Sequence, residues 1–434
     1  MNCNWQTMTL AEAGITLIDC DHKTPKAQES GFPYIGIPQL KDCRITLDGA
    51  RLICEEDFNH WRRKAKPQEH DIIMSRRCNP GETGYVTADL NIALGQNLVL
   101  LRSDGKTVYP PFLRWLTRGP YWWNQVNTFI NVGAVFESLK CADIPNFEVK
   151  VPSIEEQKKI CNCLSALDDK ISLNIKTNQT LEQMAQTIFK SWFVDFDPVK
   201  AKMNGEQPEG MNAATAALFP EKLVESELGL IPDGWNLSEI GDEVTVVGGG
   251  TPSKKNDDFW IDGHIHWTSP KDLSGVQDKV LLDTASKVTE AGLKKISSGL
   301  LPVDTVLLSS RAPVGYLALA KVPLAINQGY IAMKCEKQLP PEFVLQWCVH
   351  RMDEIKQRAS GSTFAEISKK NFKPISVVVP SEDVLSAYQK LVKPLYDAIT
   401  SNVRQSERLS NLRDTLLPKL LAGEVELTVD EESQ

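Results

Sequence analysis

Apolar residues between Pro152 and Trp192 recur in alternating steps of three and four, at Ile160, Leu164, Leu167, Ile171, Leu181, Ala185, Ile188 and Trp192. That spacing is the seam of a coiled coil. Two positions inside the seam are polar, Asn174 and Asn178. Pro152 is followed by Ser153, with Glu156 three residues on, a capping-box pattern that marks a helix start. The stretch predicts one helix of roughly 40 residues, about 60 Å long at ~1.5 Å per residue. A small domain cannot bury such a rod, so the helix needs a partner along its length.

The same pattern returns about 228 residues later, after a second Val-Pro-Ser start, at Tyr388, Val392, Leu395, Ile399, Leu409, Leu416 and Leu420. Asn402 falls on the Asn174 position and Ser406 on the Asn178 position. Buried polar residues in a seam lower stability but fix register. Two unrelated surface helices would have no reason to share both the start signal and the polar interruption.

The repeat extends outside the helices. Trp5 and Trp235, Thr24-Pro25 and Thr251-Pro252, Pro38-Gln39 and Pro270-Lys271, and Ala93-Leu-Gly-Gln96 and Ala325-Ile-Asn-Gln328 all lie near the same offset. So do Asp71–Arg76 and Asp304–Arg311, and Gly133–Phe136 and Gly361–Phe364. One unit of domain plus long helix is written twice. Short strands are predicted at Gly31–Pro38, Asp71–Arg77 and Asn97–Arg102, and a helix from Pro110 to Trp123. The expected organisation is a domain over 1–151, a long helix over 152–193 and a linker over 194–234. A second domain over 235–379, a second long helix over 380–423 and a tail over 424–434 complete it. The expected fold is α+β: two pseudo-twofold-related globular domains separated by two long helices forming an antiparallel coiled coil. In that arrangement Asn174 and Asn402 meet near the axis. Parallel pairing, which would bring both domains to one end, stays open at this point.

The chain has 434 residues and a net charge of −8, which argues against nucleic-acid binding over its whole surface but leaves local basic patches possible. Ten cysteines without a CxxC pair point to reduced thiols rather than a disulfide or zinc framework. Neither a signal peptide nor a membrane-spanning run is indicated, so a cytoplasmic location is expected. Enzyme signatures are absent. Tyr109-Pro-Pro-Phe112 has tyrosine where an amino-methyltransferase needs Asn or Asp. Gly105-Lys-Thr107 lacks the earlier glycine of a phosphate loop, and Gly248-Gly-Gly250 is no dinucleotide fingerprint. His264 and His266 have no further ligand nearby, so no metal site is expected.

Several stretches together resemble the specificity subunits of Type I restriction-modification systems. They are Trp192-Phe-Val-Asp-Phe-Asp-Pro198, Ser226-Glu-Leu-Gly-Leu-Ile-Pro-Asp-Gly-Trp235, Ser309-Ser-Arg-Ala-Pro-Val-Gly-Tyr316, Asn327-Gln-Gly-Tyr330 and Gly361-Ser-Thr-Phe-Ala-Glu-Ile-Ser368. The resemblance covers essentially the whole chain. The N-terminal half departs from the pattern at Arg76–Tyr85 and Gly133–Phe136. The resemblance implies two target-recognition domains that each bind one half of a split double-stranded DNA site, with no catalysis in this chain. It implies two methyltransferase subunits docked on the paired helices and two restriction (motor-nuclease) subunits. S-adenosylmethionine, ATP and Mg2+ would belong to those partners, and none would be bound here. A protein-only scaffold with two partner-binding heads is the alternative reading.

A DNA-reading surface needs cations for phosphate and side chains that reach base edges. Arg76, Arg77 and Arg311 stand at strand ends beside the small residues Ser75, Ser309 and Ser310. Thr251, Ser253, Lys254 and Lys255 form a candidate phosphate clamp, and Ser362 and Thr363 a second one. Gln39 and Lys271 follow equivalent prolines and are candidates for base reading. Gln96 and Gln328 suit either adenine recognition or a buried hydrogen bond, and the buried role is the expectation.

Overall fold

The computed structural model describes residues 5–131, 136–276, 278–361 and 365–427. It divides into two compact units, Met1–Lys170 with Arg408–Gln434, and Ile171–Glu407.

In the first unit a four-stranded antiparallel sheet runs in the order Ile15–Asp19, Leu98–Ser103, Ile72–Ser75, Thr83–Tyr85. Its central strands are continuous apolar runs because both faces are covered. Alternation sends Ile72, Met74, Val99 and Leu101 toward Phe112, Trp115 and Trp122, and sends Ile73, Leu98 and Leu100 toward Ile35, Val86 and Leu94. The predicted helix from Pro110 to Trp123 is instead broken. A single turn at Leu113–Leu116 ends before Gly119, and Pro120–Phe129 begins afresh. Pro120 has no N–H to continue the ladder and disfavours helical backbone at the residue before it.

The second unit repeats this plan. Its five-stranded sheet runs Thr245–Val247, Tyr330–Lys334, Val306–Ser309, Leu317–Ala320, Val280–Leu281. In each unit the opening strand pairs antiparallel with the strand that leads into a long helix. Gln6–Thr9 pairs with Glu148–Val151, and Asn236–Glu239 pairs with Ser376–Val379. The 194–234 segment is packed rather than loose. It holds the helix Asp197–Met203 and the hairpin Leu223–Ser226/Gly229–Pro232, with Val199 and Phe219 buried against Trp192 and Trp235.

The two long helices are Ile154–Phe193 and Glu382–Ala422, of 40 and 41 residues. The first opens on the expected box: Ser153 Oγ accepts from Glu156 N at 3.3 Å, and Glu156 Oε2 accepts from Ser153 N at 3.1 Å. Each helix contributes to both units, and within each unit the pair runs antiparallel. In the second unit Asn174 meets Gln405, Asn178 meets Asn402, and Glu182 meets Tyr396, so one number falls as the other rises. In the first unit Asp168 meets Arg413, and Ile160 and Leu164 share a core with Leu417, Leu420 and Leu421. The parallel alternative is excluded.

The buried stripe differs from the predicted seam by one position in places. Leu167, Leu181 and Ile188 are only partly buried, while Asp168, Glu182 and Phe189 are buried. The helix therefore faces both its partner helix and the side of a domain, and the wider contact rotates the buried face. At the domain side of the second helix, Tyr388 is completely buried and its hydroxyl finds no hydrogen-bond partner among the described residues. Tyr388→Phe removes an unsatisfied polar atom while keeping the ring. It is expected to stabilise the protein by about 1 kcal/mol, read as a higher denaturant midpoint.

Candidate nucleic-acid interface

Each recognition loop is built around a serine at the end of a central strand. Ser309 is fully buried. Its Oγ donates to Pro313 O at 2.7 Å and accepts from Gly315 N at 3.1 Å and Tyr316 N at 2.8 Å, which closes the loop that carries Arg311. Ser75 is also fully buried, and its Oγ donates to Arg77 O at 2.8 Å. Ser75 and Ser309 are therefore loop clamps, Ser310 is buried beside Ser309, and burial keeps all three side chains out of reach of a duplex groove.

The cations on these loops are differently placed. Arg311 lies 3.7 Å from Glu366 and is 38% exposed, so its guanidinium is only loosely held. Arg76 is tied into a chain: its Nη2 lies 3.0 Å from His22 Nδ1, and His22 Nε2 lies 3.0 Å from Asp19. Arg77 is exposed and has no ion-pair partner among the described residues. Asp19 and His22 also lie close to Cys20, the composition of a metal site. The thiol contradicts that role. It donates to Gly95 O and Leu98 O, and burial pushes its pKa up to about 11. The facing Arg76 opposes a cation as well.

Three glycines precede the predicted clamp, and the fold requires the middle one. A Cβ on Gly249 would lie 1.9 Å from Ile326 O, and one on Gly248 would lie 3.3 Å from Lys369 Nζ. The strand end can thus press against its neighbour and bring Thr251 over Gln328, where Thr251 Oγ1 donates to Gln328 Oε1 at 2.6 Å. Thr251, Ser253, Lys254 and Lys255 are exposed, as is Lys271, and the lysines have no ion-pair partner among the described residues. Lys369 joins this surface. It was missed in the sequence because only the fold carries it to the glycine run.

Both glutamines expected to be buried are exposed. Gln328 closes onto Thr251, and Gln96 offers its backbone oxygen to Arg76 Nη2 at 3.5 Å and leaves its amide in solvent. Their strands, Ala93–Leu94 and Leu324–Ile326, end near the surface, and each glutamine stands two residues past the last strand residue, outside the core. Gln39 is the reverse case. It is 7% exposed, its Oε1 accepts from Gly36 N at 2.9 Å and its Nε2 donates to Asp48 O at 3.3 Å, so it shapes a turn and reads no base. The residue with that job in the second unit is Asp272, which accepts from Ser269 N at 2.8 Å. Aligning on the prolines was thus one residue out, and Lys271 corresponds to Pro38. Ser362 and Thr363 lie outside the described residues.

The polar seam residues gather in the second unit. Asn174 Nδ2 donates to Gln405 Oε1 at 2.9 Å and Ser406 Oγ at 3.1 Å, and approaches Asn402 O at 3.4 Å. Asn402 Nδ2 donates to Asn178 Oδ1 at 2.8 Å, and Asn178 Nδ2 to Asp278 Oδ1 at 2.9 Å.

Two domains of one plan, each with a serine-clamped loop that presents arginine, joined to an antiparallel helix pair, define a class of paired-domain recognition subunit. The family model for the Type I restriction modification DNA specificity domain matches residues 2–183 and again 232–406. The chain belongs to this family and is a specificity subunit of the Type I restriction-modification kind. It is 28% identical over 404 residues to the Type I restriction enzyme HindI specificity subunit of Haemophilus influenzae, covering 82% of this chain and 86% of that one. It is 27% identical over 303 residues to the MjaIX specificity subunit of Methanocaldococcus jannaschii, covering 68% and 65%. The crystal structure of the Type I restriction-modification S subunit from M. genitalium shares the fold, with a TM-score of 0.57, 16% identity and 98% of both chains covered. These findings assign DNA sequence recognition in a restriction-modification system as the role of the chain.

Proposed function

We propose that this subunit is non-catalytic and reads an asymmetric bipartite duplex site, one half with each domain. The observation that carries the reading is the duplicated serine-clamped loop with unlike cations: Arg76 and Arg77 in one copy, Arg311 in the other. Arg77, Arg311, Lys254, Lys255, Lys271 and Lys369 are the residues we assign to DNA, together with Thr251, Ser253, Gln96 and Gln328. Asn174, Asn178, Asn402 and Ser406 fix the register of the helix pair.

Partner docking fits the outer faces of the helices. Met184 and Leu412 are 47% and 46% exposed, and they occupy equivalent positions, 412 − 184 = 228 residues apart. An exposed apolar residue repeated on both helices suits two copies of one partner, the methyltransferase subunit. Two restriction subunits complete the assembly. S-adenosylmethionine, ATP and Mg2+ act in those partners, and the complex works in the cytoplasm.

Gel-shift assays with the methyltransferase partner test the reading. Arg311→Ala is expected to lower the preference for the true site over random duplex by about 1–3 kcal/mol, roughly five- to 150-fold. Absence of DNA affinity in every complex would remove the proposal and leave the protein-only scaffold. The length of the helix pair is expected to set the gap between half-sites. Adding two turns to both helices lengthens each by about 10 Å, which widens the gap by about 3 base pairs at ~3.4 Å each. Mapping of methylated bases would reveal an unchanged gap and so reject this role.

A further inference from the structure

In each unit one buried carboxylate of the first long helix joins the recognition domain to both long helices. Asp168 is 3% exposed. It binds Arg114 from the helical turn Leu113–Leu116 and Arg413 Nη1 from the second long helix at 2.7 Å, with Arg118 at 3.8 Å and Arg44 at 3.9 Å. Glu182 is 7% exposed. Its Oε2 accepts from Tyr396 Oη of the second long helix at 2.8 Å, and its Oε1 accepts from Gln346 Nε2 at 3.1 Å and Lys279 Nζ at 2.9 Å.

The two nodes occupy the same place in the repeat. Arg114 and Gln346 each precede a buried tryptophan, Trp115 and Trp347, in the helical segment opened by two prolines. Tyr396 follows Asp168 by 396 − 168 = 228 residues, the helix offset. One node is therefore a carboxylate among four guanidinium groups, and the other a carboxylate among two amides, Gln346 and Gln186, a phenol and one ammonium. A buried ion pair is rarely the most stabilising filler of such a position, and apolar residues of equal volume often do as well or better. What a hydrogen-bonded node adds is direction. Trp115 and Phe112 pack with Met74, the residue before Ser75, and Leu345 and Trp347 pack in one core with Leu308, the residue before Ser309. Each node thus leads through one layer of packing to a recognition loop.

We infer that Asp168 and Glu182 are positioning residues, each setting the angle at which the helix pair presents one domain to DNA, so that fidelity at each half-site depends on its own carboxylate. The inference rests on the two-half-site reading above. A misplacement of about 1 Å at a reacting or reading surface can cost up to ~100-fold, so the effect is large enough to measure.

The test uses the full chain assembled with its methyltransferase partner. Methylation rates are compared on the true duplex and on duplexes carrying one changed base in either half, and domain exchange identifies which half belongs to which domain. Asp168→Asn is expected to lower discrimination about tenfold or more at the first domain's half and to leave the other within about twofold. Glu182→Gln is expected to do the converse, and Asp168→Glu to restore part of the loss. Arg114→Gln, which installs the residue used at the equivalent place in the second domain, gives a milder shift in the same half should Asp168→Asn fail to fold. Thermal midpoints are recorded beside the rates. A lowered midpoint with unchanged discrimination, or equal losses in both halves, overturns the positioning role and leaves the two-half-site reading standing. A wild-type complex that methylates one undivided site overturns both.

Discussion

Exchange of residues 235–378 for the matching segment of another specificity subunit is expected to change one half of the methylated site and preserve the other. The physical basis is closure. Asn236–Glu239 pairs with Ser376–Val379, so the two ends of the segment lie side by side and a transplant joins at one place. The five-stranded and three-stranded sheets of the second unit lie wholly between those ends. The switch is expected to be near complete, because specific and non-specific duplexes differ by roughly 10³-fold or more in affinity. Among the described residues, three polar side chains of the segment bond to the long helices, Asp278 to Asn178, and Lys279 and Gln346 to Glu182, and the rings of Trp235, Phe343 and His350 pack on Phe189, Phe193 and Tyr388. Donors that differ at these positions should switch less cleanly than donors that match. Mapping of methylated bases decides the matter, and a change in both halves contradicts the assignment of one half to each domain.

Trp192→Ala is expected to cost about 3–5 kcal/mol, the range for emptying a buried aromatic site. Trp192 is 6% exposed at the end of the first long helix. Its ring meets Phe219 edge-on at 5.0 Å and lies 6.0 Å from Phe193 and 6.1 Å from Tyr388. One side chain thus ties the first helix, the 194–234 segment and the second helix together. Phe193 and Tyr388 belong to the long helices and cannot close the space without moving them. Against a usual total of about 5–15 kcal/mol, the loss should lower the denaturant midpoint sharply and split a single transition. Trp192→Phe keeps a ring in the site and should lose much less. A measured cost under about 1 kcal/mol for the alanine variant would show that the aromatic cluster is not the joint described.

The strengths of the sequence reading lay in periodic and local signals. The three-four spacing of apolar residues and the Ser153–Glu156 box were enough to place both long helices, since a helix start depends on residues within one turn of it. Strands at Ile72–Ser75 and Leu98–Ser103 were legible as unbroken apolar runs. The repeat was legible because offsets survive even where residues differ.

Other features depended on what each residue touches far away in the chain. Asp168 and Glu182 follow the seam residues Leu167 and Leu181 and carry no signal of their own in the sequence, yet the domains cover them and supply their partners. Ser75 and Ser309 read as places for DNA to approach, yet the returning loop buries both. Gln39 read as a base reader and Gln96 as a buried hydrogen bond, yet Gln39 lies inside a turn and Gln96 in solvent. By itself, then, the sequence determined the doubled plan, the rod-like helices and the family, because those follow from periodicity and order along the chain. Only the tertiary structure decided which polar residues are clamps, which are nodes and which remain exposed. Burial is set by surfaces brought together from distant segments, and no local pattern records it.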